Sequence, residues 1–446
     1  MATTKRKRRR IVLILAINVA ILAALLTTVE IVLRLTEETP AALTGPPPPR
    51  VFEQVQTDDG HRVWRNRLAD PNTFPRFGIT QMTAGGVHFQ VEVPFAPAEF
   101  RVEKQPDQFR LFLLGSSPIY ARRSEGEFDD LGAIISEQWH AAGMQTTLEI
   151  ANCANKAFDQ DTMRLLLGEL VEYDPDLVLV YIGNVSPAIN FGQDRELIFH
   201  SGFTNPLIRA MFATRLFRDF VSPLVFGRGT PVQGRDLMTG ARTYGNTDAR
   251  ALAAAKKNLQ EIYRHKTGET LREMADIAEQ AGVPLAFYTL LSNLYARPMQ
   301  SEFDPATIEQ ERQTVRRLLQ EAEQSRDPRS LLEEALAIDD TYAETHFRLG
   351  MKLYQDGKQR RARKHLRRAV EHDGAASRLD FIVNPELERL RKRGAIELID
   401  LRSRMDDNPI TSRRYFSDQT HFNHAGMKLV ADTTIQWLQS TGRVSR

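Results

Sequence analysis

The chain has 446 residues, of which 42% are hydrophobic and 26% charged, a globular composition with room for two or three domains. The formal net charge is only +2, and an uninterrupted run of cations occupies residues 5–10, so nucleic acid is not expected as a partner. The single cysteine, Cys153, excludes an intramolecular disulfide and a Cys/His metal cluster, and no metal or other cofactor is expected.

The N-terminus has the pattern of a membrane anchor. The basic run precedes residues 11–29, which carry no charged side chain. At about 1.5 Å per residue, a helix of this length covers roughly the 30 Å hydrocarbon core of a bilayer. We predict a cytoplasmic basic segment at 1–10 and a single transmembrane helix at 11–33, with the rest of the chain exported because the basic cluster stays inside. A cleaved signal peptide is the alternative.

Two short regions follow the predicted anchor. Residues 36–50 contain the run PPPP and predict an extended, Pro-rich linker. Residues 51–104 contain alternating stretches such as GVHFQVEV and predict an N-terminal β extension that packs on the next domain. An exported chain with one thiol is typical of a bacterial inner-membrane protein that faces the periplasm.

From residue 105 the pattern alternates between strand and helix. Helical periodicity at residues 131–143 and 161–173 separates apolar runs, and such runs are typical of parallel strands covered on both faces. The fold class is therefore α/β, a three-layer αβα doubly wound parallel sheet, in two parts at 105–300 and 380–446. The predicted strands lie at residues 111–114, 147–151, 177–182, 285–290 and 396–400.

Residues 310–375, between the two parts, contain a repeat. LLEEALAID and HLRRAVEHD match at a 34-residue offset, which carries position 339 onto position 373. The spacing predicts an inserted α-helical tetratricopeptide segment that offers a docking surface for a protein partner, or else unrelated amphipathic helices. A basic helix face here is solvated or, alternatively, binds an anionic polymer or lipid surface; it comprises Arg360, Arg361, Arg363, Lys364, Arg367 and Arg368.

Polar groups follow each of the first three predicted strands. Ser117 follows the first, Asn152 and Ala154 the second, and Asn184 the third. In an open parallel sheet the carboxyl ends of the strands border one crevice. We therefore expect a hydroxyl, backbone N–H groups and amide side chains to meet there.

The C-terminal segment supplies a base for the hydroxyl. Asp418 and His421 lie three residues apart in a predicted loop, whereas His424 falls where a helix begins. A carboxylate that orients an imidazole, which in turn deprotonates a hydroxyl, is the minimal activation chain for acyl transfer.

These motifs resemble the SGNH, or GDSL-like, hydrolase family. The segments that carry the resemblance are FRLFLLGSS, DPDLVLVYIGN and SDQTHFNHAGMKLVA, within residues 100–438. The anchor and the inserted helices resemble a membrane-anchored subgroup of exported bacterial members. The resemblance implies that Ser117 is the nucleophile, with Ser116 as the fallback, that His421 is the general base and that Asp418 orients it.

The family pattern also implies an oxyanion hole, from which this chain departs. The resemblance assigns the hole to Ser117, Ala154 and the residue at position 185, and Asn184 substitutes for the last of these if its loop is rotated by one residue. Ala154 stands where the family has Gly, and Val185 replaces the Asn whose side chain donates to the oxyanion. Losing one such donor typically costs about 10² to 10³ in rate. Ala121 is a smaller departure.

Two asparagines are expected to border the pocket, Asn152 and Asn293. Asn293 follows the fourth strand in LLSNLY, which resembles a Pro-Ser-Asn-Leu turn of the subgroup, and an ordinary Asx turn is the alternative.

Three functions remain open from the sequence. The first is an exported serine esterase or deacylase that cleaves O-acyl esters of a cell-envelope glycan or lipid through an acyl-enzyme. The second is a catalytically degenerate module that binds a glycan or a protein, which the Val185 replacement favours. The third is an O-acyltransferase, which passes the acyl group to another hydroxyl.

Overall fold

The computed structural model describes residues 27–29, 50–66, 83–84, 87–88, 99–120, 122–124, 127–154, 160–183, 249–304, 306–373, 378–405 and 413–444. Contacts divide the chain into two units, the first formed by Met1–Pro48, Asn190–Gln233 and Ala254–Asn258. Most of the predicted anchor and linker lies outside the described residues. Within the described ranges, no helix is long and apolar enough to cross a membrane.

The second unit begins with short antiparallel strands. One sheet has the order β1-β2-β5 and consists of β1 (Phe52–Gln56), β2 (Arg62–Asn66) and β5 (Glu99–Arg101). Between β2 and β5 the chain forms a small hairpin of β3 (Thr83–Ala84) and β4 (Val87–His88). The rings of Phe52 and Phe100 pack edge to face on Tyr173, with centroid distances of 5.6 and 5.3 Å. Both phenylalanines are buried in the core of the main sheet. The extension and the main sheet therefore share one hydrophobic core.

After β5 the chain forms β6 (Gln108–Gly115), the small hairpin of β7 (Arg122–Ser124) and β8 (Glu127–Asp129), β9 (Thr147–Asn152), β10 (Leu177–Tyr181), β11 (Leu285–Tyr288) and β12 (Glu397–Ile399). Five of these strands form the main sheet, which is parallel and has the spatial order β12-β11-β10-β6-β9. When the five strands are numbered along the chain and read from the β9 edge, this order is 2-1-3-4-5, the flavodoxin-like form of the doubly wound sheet. All residues of β10 are buried, as expected for a strand covered on both faces. The predicted α/β class and parallel sheet are therefore confirmed.

Helices follow the strands of the sheet. The first begins at Leu131 because Asp130 caps it, accepting a 2.7 Å hydrogen bond from the N–H of Gly132. In chain order the helices are α1 (Leu131–Ala141), α2 (Gln160–Leu170), α3 (Ala249–Ala281), α4 (Glu309–Gln324), α5 (Arg329–Ile338), α6 (Ala343–Gln355), α7 (Gln359–Glu371), α8 (Asp380–Lys392) and α9 (His424–Ser440).

Helices α4 to α7 correspond to the predicted insertion. Positions related by the 34-residue offset have the same environment: Leu332 and Leu366 are both buried, as are Asp339 and Asp373. A Cβ on Gly350 of α6 would lie 2.8 Å from the Leu366 side chain, so the small residue lets α6 and α7 approach closely. This equivalence is what a repeat requires, and the assignment to the tetratricopeptide family stays a prediction.

The amino end of the sheet is held by Arg110 of β6, which is 1% exposed. Its guanidinium donates to the Glu149 carboxylate at 2.6 Å and to the carbonyl oxygens of Tyr173 and Arg101 at 2.6 and 2.7 Å. Its main-chain N–H donates to Asp176 at 2.7 Å. A buried cation needs such partners, and here they join β6 to β9, to the extension and to the turn before β10.

At the carboxyl end of the sheet, the turns after β6 and β10 touch. Gly115 and Tyr181 are partners in the parallel register, and one residue further on each strand the chain turns. Gly183 has a φ of +73°, and a Cβ there would overlap Oγ of Ser116. Only glycine satisfies both the left-handed backbone and this contact.

Replacing Gly183 with Ala is expected to destabilise the fold more than the same change at Gly282. Both glycines have positive φ, +73° and +66°, but nothing lies within 4 Å of a Cβ at Gly282. Gly282→Ala should therefore lose about 1 to 2 kcal/mol from backbone strain. Gly183→Ala should lose about 1 to 3 kcal/mol more from overpacking, as measured by urea unfolding. Equal losses would contradict the close contact.

Candidate active site

The two serines after β6 occupy different environments. Ser116 is 0% exposed and, within the described residues, its Oγ has no hydrogen-bond partner. Ser117 is partly exposed and begins a short 3₁₀ helix, Ser117–Ile119. The N–H at the start of a helix has no partner within that helix. Of the two hydroxyls, that of Ser117 is the accessible one.

The loop with Asp418 and His421 is closed by two phenylalanines. Phe416 and Phe422 form an antiparallel bridge, and their rings stack with centroids 5.1 Å apart. The Phe422 ring also packs against Tyr181, the last residue of β10, at 5.6 Å. Since Tyr181 is the register partner of Gly115, the loop and Ser117 lie at the same edge of the sheet.

Asp418 and His421 form a hydrogen-bonded pair. Nδ1 of His421 lies 2.6 Å from Oδ2 of Asp418, and the N–H groups of Thr420 and His421 donate to Oδ1 at 2.9 and 2.8 Å. Burial alone would raise the pKa of the Asp418 carboxyl, but these hydrogen bonds outweigh it and hold the pKa well below its usual value. An ionised carboxylate only accepts, so the proton belongs to Nδ1 and the neutral ring keeps Nε2 as an acceptor.

The structure does not join the serine to the histidine. Within the described residues no hydrogen bond links Ser117 to His421, and Nε2 of His421 has no partner there. The side chain of His421 is 30% exposed. The pair and the hydroxyl therefore lie at one edge of the sheet without forming a closed triad. Catalytic hydrogen bonds often shorten only when substrate binds.

The groups assigned to the oxyanion hole differ in availability. Within the described residues, the N–H of Ser117 has no hydrogen-bond acceptor. The N–H of Ala154 donates to Oδ1 of Asn152 at 3.1 Å, so this bond must open or be shared before Ala154 can serve an oxyanion. Asn184 and Val185, like Ala121, lie outside the described residues.

Asn152 braces the loops around the serines. Its amide donates to the carbonyl oxygen of Ile119 and to Oδ1 of Asp130, each at 3.1 Å. Its own oxygen accepts from Ala154. The amide therefore joins the 3₁₀ helix that begins at Ser117 to the cap of α1 and to the turn after β9. Both its nitrogen and its oxygen are engaged in hydrogen bonds within the protein.

Asn293 connects the turn after β11 to the Asp418–His421 loop. Its side-chain amide donates to the Asp418 carbonyl oxygen at 2.8 Å, and its main-chain N–H donates to the Gln419 carbonyl oxygen at 3.1 Å. Its Oδ1 accepts from the N–H of Tyr295 at 3.0 Å, which is an Asx turn. The side chain therefore forms an Asx turn and contacts the backbone of the Asp418–His421 loop, and its place at the border of a pocket stays a prediction.

Other residues of the region have structural roles. His424 is exposed at the first residue of α9, and Asn423 caps that helix by accepting from the N–H of Gly426 at 3.0 Å. Burial raises the pKa of the Cys153 thiol, so the sole cysteine is not poised as a nucleophile. Sequence reasoning missed Asp130, although an Asp directly before an apolar helical pattern is an N-cap signal.

Comparisons with known proteins add similarities of low degree. No family model matches the chain, and no curated protein matches it. The chain is similar to the solved structure of a lipase/acylhydrolase from Enterococcus faecalis at 12% identity and a TM-score of 0.31, covering 76% of this chain and 97% of that one. At this level the likeness carries no weight for fold or chemistry, which rest on the chain's own geometry.

Two further solved structures have a similar degree of likeness. For an acetyl xylan esterase the identity is 10% and the TM-score 0.32, with 74% of this chain and 100% of that one covered. For a GDSL-like lipase from Bacteroides thetaiotaomicron the identity is 9% and the TM-score 0.30, with 74% and 88% covered.

We predict that Asp418 makes the stability of the protein depend on acid pH. The ordinary pKa of this carboxyl is 3.8, and folding lowers it. The ionised carboxylate therefore stabilises the folded state at pH values above 3.8, and this contribution is lost as the pH falls below 3.8 towards the pKa of the folded state. Wild type should therefore be more stable than Asp418→Asn at neutral pH, and the difference should shrink as the pH falls below 3.8. Urea unfolding between neutral pH and about pH 3 measures this. A difference that does not change with pH would contradict the pairing.

Proposed function

We propose that this chain is a serine ester hydrolase in which Ser117 is the nucleophile and His421 the general base, oriented by Asp418. The observation that carries the proposal is the 2.6 Å contact between Nδ1 of His421 and Oδ2 of Asp418, in a loop held at the edge of the sheet where Ser117 lies. The SGNH-like order of these residues along the chain supports it.

The chemistry follows from the tautomer. With its Nδ1 proton held by Asp418, His421 takes the Ser117 hydroxyl proton on Nε2 while Oγ bonds to the ester carbonyl carbon. The carbonyl π pair moves to oxygen, and the alkoxide leaves with the proton from Nε2 as the intermediate collapses. Water then attacks the acyl-enzyme by the same route, and Ser117 recovers its proton. Asp418 stays ionised and stabilises the imidazolium in both halves.

The oxyanion requires donors near Ser117. The Ser117 N–H is available, and that of Ala154 becomes available when its bond to Asn152 opens. Asn184 is the third proposed donor. One missing donor typically costs about 10² to 10³ in rate, which slows the reaction without abolishing it.

We assign the substrate class and the compartment by the sequence alone. The charge-free run at residues 11–29 after a basic cluster supports an anchored, exported domain at a bacterial inner membrane. An ester hydrolase in that position is proposed to act on O-acyl groups of a cell-envelope glycan or lipid. The inserted helices α4 to α7 are proposed as the surface for a protein partner.

A second candidate function is a binding module without turnover. The observation that favours it is that no hydrogen bond joins Ser117 to His421 within the described residues. In that case the crevice would hold a glycan or a protein segment, with the loops after β9 and β11 as its walls.

A fluorophosphonate probe tests the hydrolase directly on the full chain. Wild type should be labelled and should turn over p-nitrophenyl acetate. Ser117→Ala and His421→Gln should each lose labelling and lower kcat by about 10³ or more, because the base and the nucleophile act as a unit. A wild-type chain that is neither labelled nor active would contradict the hydrolase and favour the binding module.

The matched control is the neighbouring hydroxyl. Ser116→Ala removes a serine one residue away that is fully buried, so labelling should persist. If Ser116→Ala abolishes labelling while Ser117→Ala does not, the nucleophile has been assigned to the wrong serine.

A further inference from the structure

Two aspartates that follow alternate helices of the insertion, α5 and α7, have similar surroundings. Asp339, after α5, accepts hydrogen bonds from the N–H groups of Asp304 and Thr341 at 2.8 Å each. Asp373, after α7, accepts from the N–H groups of Met299 and Gln300 at 3.1 and 3.0 Å. Both are buried and are separated by the 34-residue offset. Each carboxylate thus holds a stretch of chain against its helix pair.

Asp373 forms an ion pair with Arg378, whereas Asp339 accepts instead from the hydroxyls of Thr307 and Thr341, at 3.0 and 2.8 Å. Nη2 of Arg378 lies 2.7 Å from Oδ2 of Asp373, and both side chains are 0% exposed. A fully buried cation and anion remain charged only when each has the other and further hydrogen bonds. The remaining hydrogen bonds of Arg378 therefore show which segment of the chain this ion pair holds in place.

Those contacts lie in the turn after β11. Nη1 of Arg378 donates to the carbonyl oxygens of Asn293 and Ala296, at 3.2 and 3.1 Å. The same turn is closed by the N–H of Ala296, which donates to the Asn293 carbonyl oxygen at 3.2 Å. A planar guanidinium binds two carbonyls and a carboxylate together, which a lysine ammonium on a flexible chain does not reproduce.

Asn293 is in turn bound to the Asp418–His421 loop. Its two hydrogen bonds, to the carbonyl oxygens of Asp418 and Gln419, hold the backbone on which the catalytic carboxylate sits. An unbroken series of hydrogen bonds thus runs from the end of α7 through Asp373, Arg378 and Asn293 to Asp418. Each of these links is 3.2 Å or shorter.

We infer that Arg378 and Asp373 are positioning residues for the Asp418–His421 pair, acting through Asn293, so that the helical insertion sets the geometry of the base. The inference rests on the proposed role of His421. Both side chains are fully buried, so they act by holding the carbonyl of Asp418 in place from a distance. The insertion is then part of the catalytic framework, and a partner that shifts α7 would be felt at His421.

The test compares Arg378→Lys, Asp373→Asn and Asp339→Asn in the full chain. Asp339→Asn is the matched control, because it alters the equivalent aspartate that has no link to Arg378. The first readout is the Nδ1 proton of His421 in ¹⁵N-histidine-labelled protein, assigned by its loss in His421→Gln. A short hydrogen bond to a carboxylate shifts such a proton far downfield.

We expect this signal to move or broaden in Arg378→Lys and Asp373→Asn and to stay unchanged in Asp339→Asn. Ester turnover should fall about tenfold or more in kcat in the first two variants, with KM within about twofold, because the base is displaced while the pocket is kept. An unchanged His421 signal in a folded Arg378→Lys or Asp373→Asn, or an equal change in Asp339→Asn, would overturn the inference.

The two readouts separate this inference from the proposed function. If wild type has no turnover and no labelling, the hydrolase proposal fails, and the His421 signal still decides whether Arg378 positions the pair. If wild type is active and the signal does not respond, the linkage fails and the hydrolase stands. Arg378→Lys keeps a cation beside the Asp373 carboxylate, so it provides the folded variant if Asp373→Asn, whose single carboxamide oxygen can accept from only one of the Met299 and Gln300 N–H groups, does not fold.

Discussion

The contact between the turns after β6 and β10 determines the arrangement of the whole crevice. Gly183 approaches Ser116 so closely that no side chain fits between them. This contact lies between β6 and β10, where the strand order of the sheet reverses. Ligand sites of open α/β sheets lie at this point. Because Ser116 fills the floor, the next residue, Ser117, begins its short helix at the crevice wall. The loop of His421 then packs on the same two strands through Phe422 and Tyr181.

Asparagine side chains hold the loops above this floor. Asn152 joins the loops after β6 and β9, Asn293 joins the loop after β11 to the Asp418–His421 loop, and Asn423 donates to the carbonyl of Arg414 while capping α9. A carboxamide both donates and accepts, so one side chain can bridge two backbone segments without bringing a charge into a half-buried place.

The sequence was informative where local pattern decides structure. Apolar runs such as FRLFLLG predicted the parallel strands, and the spacing of Asp418 and His421 predicted a pair that the structure forms. Tertiary contacts decided the rest. Nothing near Arg378 in the sequence distinguishes it from the many exposed arginines, because its burial depends on carbonyl oxygens contributed by a distant segment. Arg110 stands inside the apolar run FRLFLLG, but its partners also come from distant segments and cannot be read from that run. The engagement of the Ala154 N–H by Asn152 is likewise a feature of a turn and not of a motif.

The anchoring of Arg110 has a consequence at the other end of its strand. Side chains alternate along β6, so a slip of one residue would turn every side chain to the opposite face and exchange the environments of Ser116 and Ser117. Four hydrogen bonds from Arg110, to Asp176, Glu149, Tyr173 and Arg101, are lost together in such a slip. By fixing the register of β6, Arg110 determines which of the two adjacent hydroxyls is exposed, although it lies near the amino end of the strand, roughly 20 Å from them.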